Sequence, residues 1–213
     1  MGTVREMAGD ERRELAAFLG ELAPGEWEAP TLCAEWSVRE VVAHVVSYDE
    51  LSARDLVRRL AQARFSTDRS NALGVAAYAG REPDELLALL RAHPEPRGLP
   101  AAFGGMIALV DGFVHHQDIR RALGRPRDVP GARLQRVLTL ALRAPVLPAR
   151  RNAKGLRLTA TDVDWQRGAG PEVRGPGEAL LMALAGRSAT LDELSGSGAS
   201  TLAGRVTTGT GAR

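Results

Sequence analysis

Leu109-Val-Asp-Gly-Phe-Val-His-His-Gln-Asp-Ile-Arg-Arg-Ala-Leu-Gly124 is the stretch on which the fold turns. It closes the longest segment of helical period in the chain, residues 101–123. There Met106, Leu109, Val110, Phe113, Val114 and Ile119 supply an apolar face. Gly124-Arg125-Pro126 ends the helix. Asp111 and His115 stand four residues apart, so a carboxylate and an imidazole share one helix face, one turn apart, within reach of a single cation.

A third ligand must come from another helix, and the chain has four histidines: His44, His93, His115 and His116. His44 is the best candidate. Ser37-Val-Arg-Glu40 reads as a capping box, and the helix it opens carries Val38, Val41, Val42, Val45 and Val46 as an apolar stripe with His44 on or beside it. Two imidazoles and one carboxylate leave positions open for water or substrate, the arrangement of a catalytic metal. The bland reading stands beside it. A histidine next to an apolar stripe is more often a half-buried hydrogen-bonded residue, and Asp-x-x-x-His can be a simple ion pair. Spacing alone leaves both open. His93, before Pro94, reads as a loop residue, and His116 and Asp118 as surface residues on the far side of their helix. Cys33 is read as a small, semi-buried residue beneath Trp36 rather than a thiol ligand or nucleophile.

Working outward, helical periodicity covers residues 4–22, 52–65, 83–92 and 132–147, with Pro94, Pro96 and Pro100 breaking the chain between. These helices predict a four-helix bundle with extra turns. The period changes near residue 150. Residues 155–165 alternate as a strand, residues 172–175 read as a second short strand, and residues 177–185 as a helix entered through Pro176. The tail, rich in Gly, Ser, Thr and Ala, reads as a frayed strand around 202–207 or as disordered. The expected organisation is a mainly α chain: a helical bundle over 1–148 and a small α+β domain over 149–213.

Twenty-eight basic residues against 26 acidic ones give a net charge of +2, interleaved rather than gathered into a stripe, which argues against a nucleic-acid partner. Lys154 is the one lysine among them. A single cysteine cannot form an internal disulfide, residues 1–10 lack the apolar core of a signal peptide, and no stretch is apolar enough to span a bilayer. These point to the cytoplasm and away from a membrane. No glycine-rich phosphate loop, nucleophile elbow or Cys-x-x-Cys is present.

Thr31-Leu-Cys-Ala-Glu-Trp-Ser-Val-Arg-Glu-Val-Val-Ala-His44 resembles the N-terminal signature of the mycothiol-dependent maleylpyruvate isomerase family, a loop ending in a Trp-Ser pair before a helix with a metal-binding histidine. Val114-His-His-Gln-Asp-Ile-Arg-Arg-Ala-Leu-Gly124, with its acidic residue four before the histidine, resembles the second signature. Residues 175–187 resemble the helix of the small C-terminal domain. The resemblance implies a DinB-like four-helix bundle followed by a sterol-carrier-like α+β domain. It implies a divalent metal, most often zinc, held by His44, Asp111 and His115. The family often carries Glu at the acidic position, so Asp111 reaches one methylene less far.

The implied cosubstrate is a low-molecular-weight thiol, mycothiol in actinobacteria or another thiol. The implied activity is an S-transferase or cis–trans isomerase acting on a small electrophile. Arg120 and Arg187 are candidates for contacts to an anionic substrate or thiol. Family members occur as monomers and homodimers. The competing class is a non-enzymatic, metal-containing binding or sensor protein of the same fold, since fold does not fix function. A regulatory zinc module ranks last, because Cys33 stands eleven residues before His44.

Overall fold

In the computed structural model, which describes residues 2–33 and 36–210, Thr3 starts the first helix. The Thr3 hydroxyl accepts from the Glu6 N–H, and the Glu6 carboxylate accepts from the Thr3 N–H. This reciprocal cap launches α1 (Val4–Leu19). The box expected at Ser37 and Glu40 does the same for α2 (Val38–Val46). Ala34 and Glu35, in the segment before it, lie outside the described residues. Ser52 caps α3 (Ala53–Gln62) and Ser66 caps α4 (Thr67–Ala77). Pro83 opens α5 (Pro83–Ala92), where a missing N–H costs nothing. The long helix is α6 (Ala102–Ala122).

The chain divides into two compact units, and the first is Gly2–Pro126. In it α1, α2, α5 and α6 share one apolar core. Leu15, Phe18 and Leu19 meet Val38, Val41 and Val42, with Leu86 and Leu90 from α5 and Ile119 from α6. α6 is regular only from Met106 onward, because Phe103, Gly104 and Gly105 have positive φ. Gly105 is required by the packing: its φ is 90°, and a Cβ there would stand 3.2 Å from the Arg5 Cα of α1.

The second unit begins at Arg127. It holds α7 (Gly131–Ala141), α8 (Ala149–Asn152), β1 (Arg157–Ala160), β2 (Gln166–Gly168), β3 (Glu172–Gly175), α9 (Gly177–Leu184) and α10 (Ala199–Thr210). The sheet order is β2-β1-β3, with β1 antiparallel to β2 and parallel to β3. Leu158 and Val173 pair across the parallel ladder, and both are buried, with α9 packed on β1 and β3.

The architecture is the mainly helical bundle with a small α+β unit that the periodicity predicts, with local differences. α4 carries no apolar stripe; its buried positions are Ser70, Gly74 and Val75. The alternating run 155–165 holds β1 and then turns, so that β2 pairs back on β1. The strand expected around 202–207 is instead the helix α10, with Leu202 and Val206 buried one turn apart; residues 211–213 lie outside the described residues. Among the described residues no helix is long and apolar enough to cross a membrane.

Candidate functional site

The capping box fixes where α2 begins, and the α2 register then fixes His44 on its inner side, 4% exposed. α6 brings Asp111 and His115 to meet it. Asp111 lies between the two imidazoles: its Oδ2 is 3.4 Å from His44 Nε2 and its Oδ1 is 3.6 Å from His115 Nε2. The two imidazole rings stand edge to face with centroids 4.9 Å apart. Both histidines are buried while the Asp111 side chain is 29% exposed, so the cluster opens toward solvent on the carboxylate side.

These distances decide what the cluster suits. They exceed the 2.7–3.2 Å of a good N–H···O bond. Two donors bound tetrahedrally to zinc at about 2.0–2.1 Å would stand about 3.3 Å apart. One donor atom from each of His44, Asp111 and His115 lies within 4.8 Å of the others. The set therefore fits a small divalent cation better than a direct hydrogen-bonded triad. His44 Nδ1 is buried and has no hydrogen-bond partner among the described residues.

His115 is held from behind. Its Nδ1 donates to Asp118 Oδ2 at 3.1 Å, which fixes the ring and leaves Nε2 facing Asp111. Burial alone would lower the His115 pKa, but the Asp111 carboxylate and bonds to Asp118 and Cys33 push it up to about 10. Burial lowers that of His44, and the His115 and Arg59 charges add to this against the opposing pull of Asp111. The two imidazoles thus shift in opposite directions, His115 up and His44 down.

Asp118 and His116 are corrections to the reading of this helix face as surface, since both are 0% exposed. His116 Nδ1 donates to Glu11 Oε1 at 2.8 Å, and Arg120 Nε donates to His116 Nε2 at 2.8 Å, which ties α6 to α1. Arg120 also lies over the Phe18 ring. Arg187 lies in the second unit, where it donates to the Ala185 carbonyl. Cys33 is half-buried as expected, yet it also forms a second compact group of potential ligands with His115 and Asp118. Trp36 packs on both imidazoles, with ring centroids 5.0 Å from His44 and 6.2 Å from His115.

Two solved structures align over the chain: the mycothiol-dependent maleylpyruvate isomerase, at 18% identity, and a histidine-to-alanine mutant of that enzyme, at 17%. Each covers 92% of this chain and 96% of its own, with a TM-score of 0.60. No curated protein matches the chain. The fold is therefore that of a DinB-like helical bundle followed by a small α+β unit. Residues 8–97 match the mycothiol maleylpyruvate isomerase N-terminal domain.

Proposed function

We propose that this chain is a metal- and thiol-dependent enzyme, an S-transferase or cis–trans isomerase acting on a small electrophile with mycothiol as cosubstrate. The observation that carries the reading is the convergence of His44, Asp111 and His115 at donor spacings that suit a divalent ion, in a bundle whose residues 8–97 match the mycothiol maleylpyruvate isomerase N-terminal domain. Imidazole and carboxylate donors suit zinc. His44, Asp111 and His115 hold the ion, and with three protein ligands they leave a position for a sulfur. A bound divalent ion lowers the pKa of a coordinated thiol, so that a nucleophilic thiolate exists at neutral pH. Asp118 sets the direction of His115 Nε2, and the Trp36 indole packs against both imidazoles. A single free cysteine suits a reducing compartment such as the cytoplasm, where we place this chain.

The test is metal analysis of protein purified without added metal, followed by mycothiol conjugation to a bromobimane and isomerisation of maleylpyruvate. About one divalent ion per chain, with either reaction lost in Asp111→Ala, is the expected result. Protein that takes up no zinc, nickel or manganese sinks the reading. The Asp118→Asn variant keeps the shape of the side chain but removes its charge. It is expected to bind zinc about 10–100-fold more weakly, the usual cost of losing a carboxylate behind a ligating histidine. Competition with a chromogenic chelator measures it, and unchanged affinity would remove Asp118 from the site.

A further inference from the structure

Arg59 is the one buried residue of α3, 9% exposed, and its surroundings are built to hold it. Its Nη1 donates to Ser47 Oγ at 3.2 Å, and Ser47 Oγ in turn donates to the His44 carbonyl at 2.9 Å. Its guanidinium lies 5.1 Å from the centroid of the Tyr48 ring, which stands edge-on to His44 at 5.8 Å. Tyr48 is itself fixed: its hydroxyl donates to Asn71 Oδ1 at 2.7 Å and lies 3.2 Å from Ser70 Oγ. Gly74 completes the cradle, because a Cβ there would fall 2.6 Å from Ser47 Oγ and 3.0 Å from Arg59 Nη1. The turn that ends α2, together with α3 and α4, thus gives one guanidinium its position.

No described carboxylate pairs with it. Among the described residues Arg59 makes no ion pair, and its side chain donates the one hydrogen bond to Ser47, although a guanidinium carries five N–H donors in a planar fork. A buried cation without an anion is costly, and folds seldom keep one for stability alone. The same bundle shows the usual solution at Arg12, also buried, which the Asp49 carboxylate meets with both oxygens.

We propose that Arg59 is an anion-recognition residue of the bundle, which receives the carboxylate of a small acid bound beside His44. The guanidinium fork matches a carboxylate in two parallel bonds, and the Tyr48 platform and Ser47 bond fix its orientation beforehand. Arg59 is then a positioning residue that orients a carboxylate-bearing ligand at the cluster of His44, Asp111 and His115. That purpose rests on the proposed function; the anion binding itself does not.

Calorimetric titration with succinate, and with succinamide as its uncharged isostere, tests this on the full chain, both treated with chelator and supplemented with zinc. The expected result is succinate binding at least tenfold tighter than succinamide. Arg59→Met should lose that preference, and Arg59→Lys, which keeps charge but not the fork, should bind succinate several-fold more weakly than the wild type. Thermal melting of both variants checks folding, and Arg59→Lys decides the matter where Arg59→Met does not fold. Equal binding of the two probes, no binding of succinate, or unchanged succinate affinity in the variants overturns the proposal. Succinate binding that needs zinc and ignores Arg59 also overturns it while leaving the metal site standing. Binding that depends on Arg59 in protein unable to hold zinc upholds it and sinks the metal site instead.

Discussion

His115→Ala is expected to come through purification with less than a tenth of the wild-type metal and to conjugate thiol at least 100-fold more slowly. Losing Asp118 behind the proposed ligand should weaken zinc by about 10–100-fold, and losing His115 itself should cost more than that. His115 faces the Asp111 carboxylate with one ring nitrogen while Asp118 holds the other, so alanine removes a donor and the outer carboxylate's grip together. His116→Ala is the matched control, next in sequence and equally buried, but bonded to Glu11 and Arg120 instead. It should lower the melting temperature through the loss of that α1–α6 tie and keep the metal. Metal content by elemental analysis separates the two. A His115→Ala chain with full metal, or a His116→Ala chain without it, would show that the ligand set has been misread.

That contrast was open to the sequence only in part. Asp111 and His115 were legible because an i,i+4 spacing on a helix fixes which side chains are neighbours before any tertiary packing is known. His44 was legible because the Ser37–Glu40 box sets the start of α2, and with it the phase of the valine stripe. Asp118 has a signal too, being three residues from His115, yet in the sequence a polar residue after His-His reads as solvent-facing. Burial of α6 on both sides, by α1 and by α2, overrides that reading. Arg59 had no local signal. Arg54, Arg58 and Arg59 share α3, and only the cradle of Ser47, Tyr48 and Gly74, brought from the turn after α2 and from α4, distinguishes one from the others.

The fold divides along the same line. Elements with strong local punctuation appear where expected: Pro83 opens α5, Pro176 precedes α9, and residues 172–175 form β3. Elements whose stability comes from elsewhere do not. α4 buries Ser70, Gly74 and Val75, which carry no apolar period. α10 is poor in strong helix formers, and the burial of Leu202 and Val206 offsets its low propensity. The i,i+4 spacing of that pair was the signal, outweighed by the surrounding Gly, Ser and Thr.

The largest effect on stability is expected from Asp49→Ala. Arg12 and Asp49 are 5% and 0% exposed in their side chains, and the carboxylate meets two guanidinium nitrogens of Arg12. Arg12 Nε is already buried without a partner, so Asp49 is the anion that makes the site tolerable. Its removal leaves an uncompensated buried cation, at a cost of about 3–5 kcal/mol. The reverse change, Arg12→Met, should cost less, and the reason is chemical. Burial already pushes the Asp49 pKa up against the pull of Arg12, so a carboxyl that loses its partner can take a proton and become neutral. A guanidinium cannot give one up, because its pKa stays above about 12. Replacing both at once, Arg12→Met with Asp49→Leu, should recover most of the loss by putting apolar volume where the pair was. Urea unfolding of the three variants against the wild type measures the order. If Arg12→Met proves as damaging as Asp49→Ala, the asymmetry between a group that can shed its charge and one that cannot is not what governs this pair.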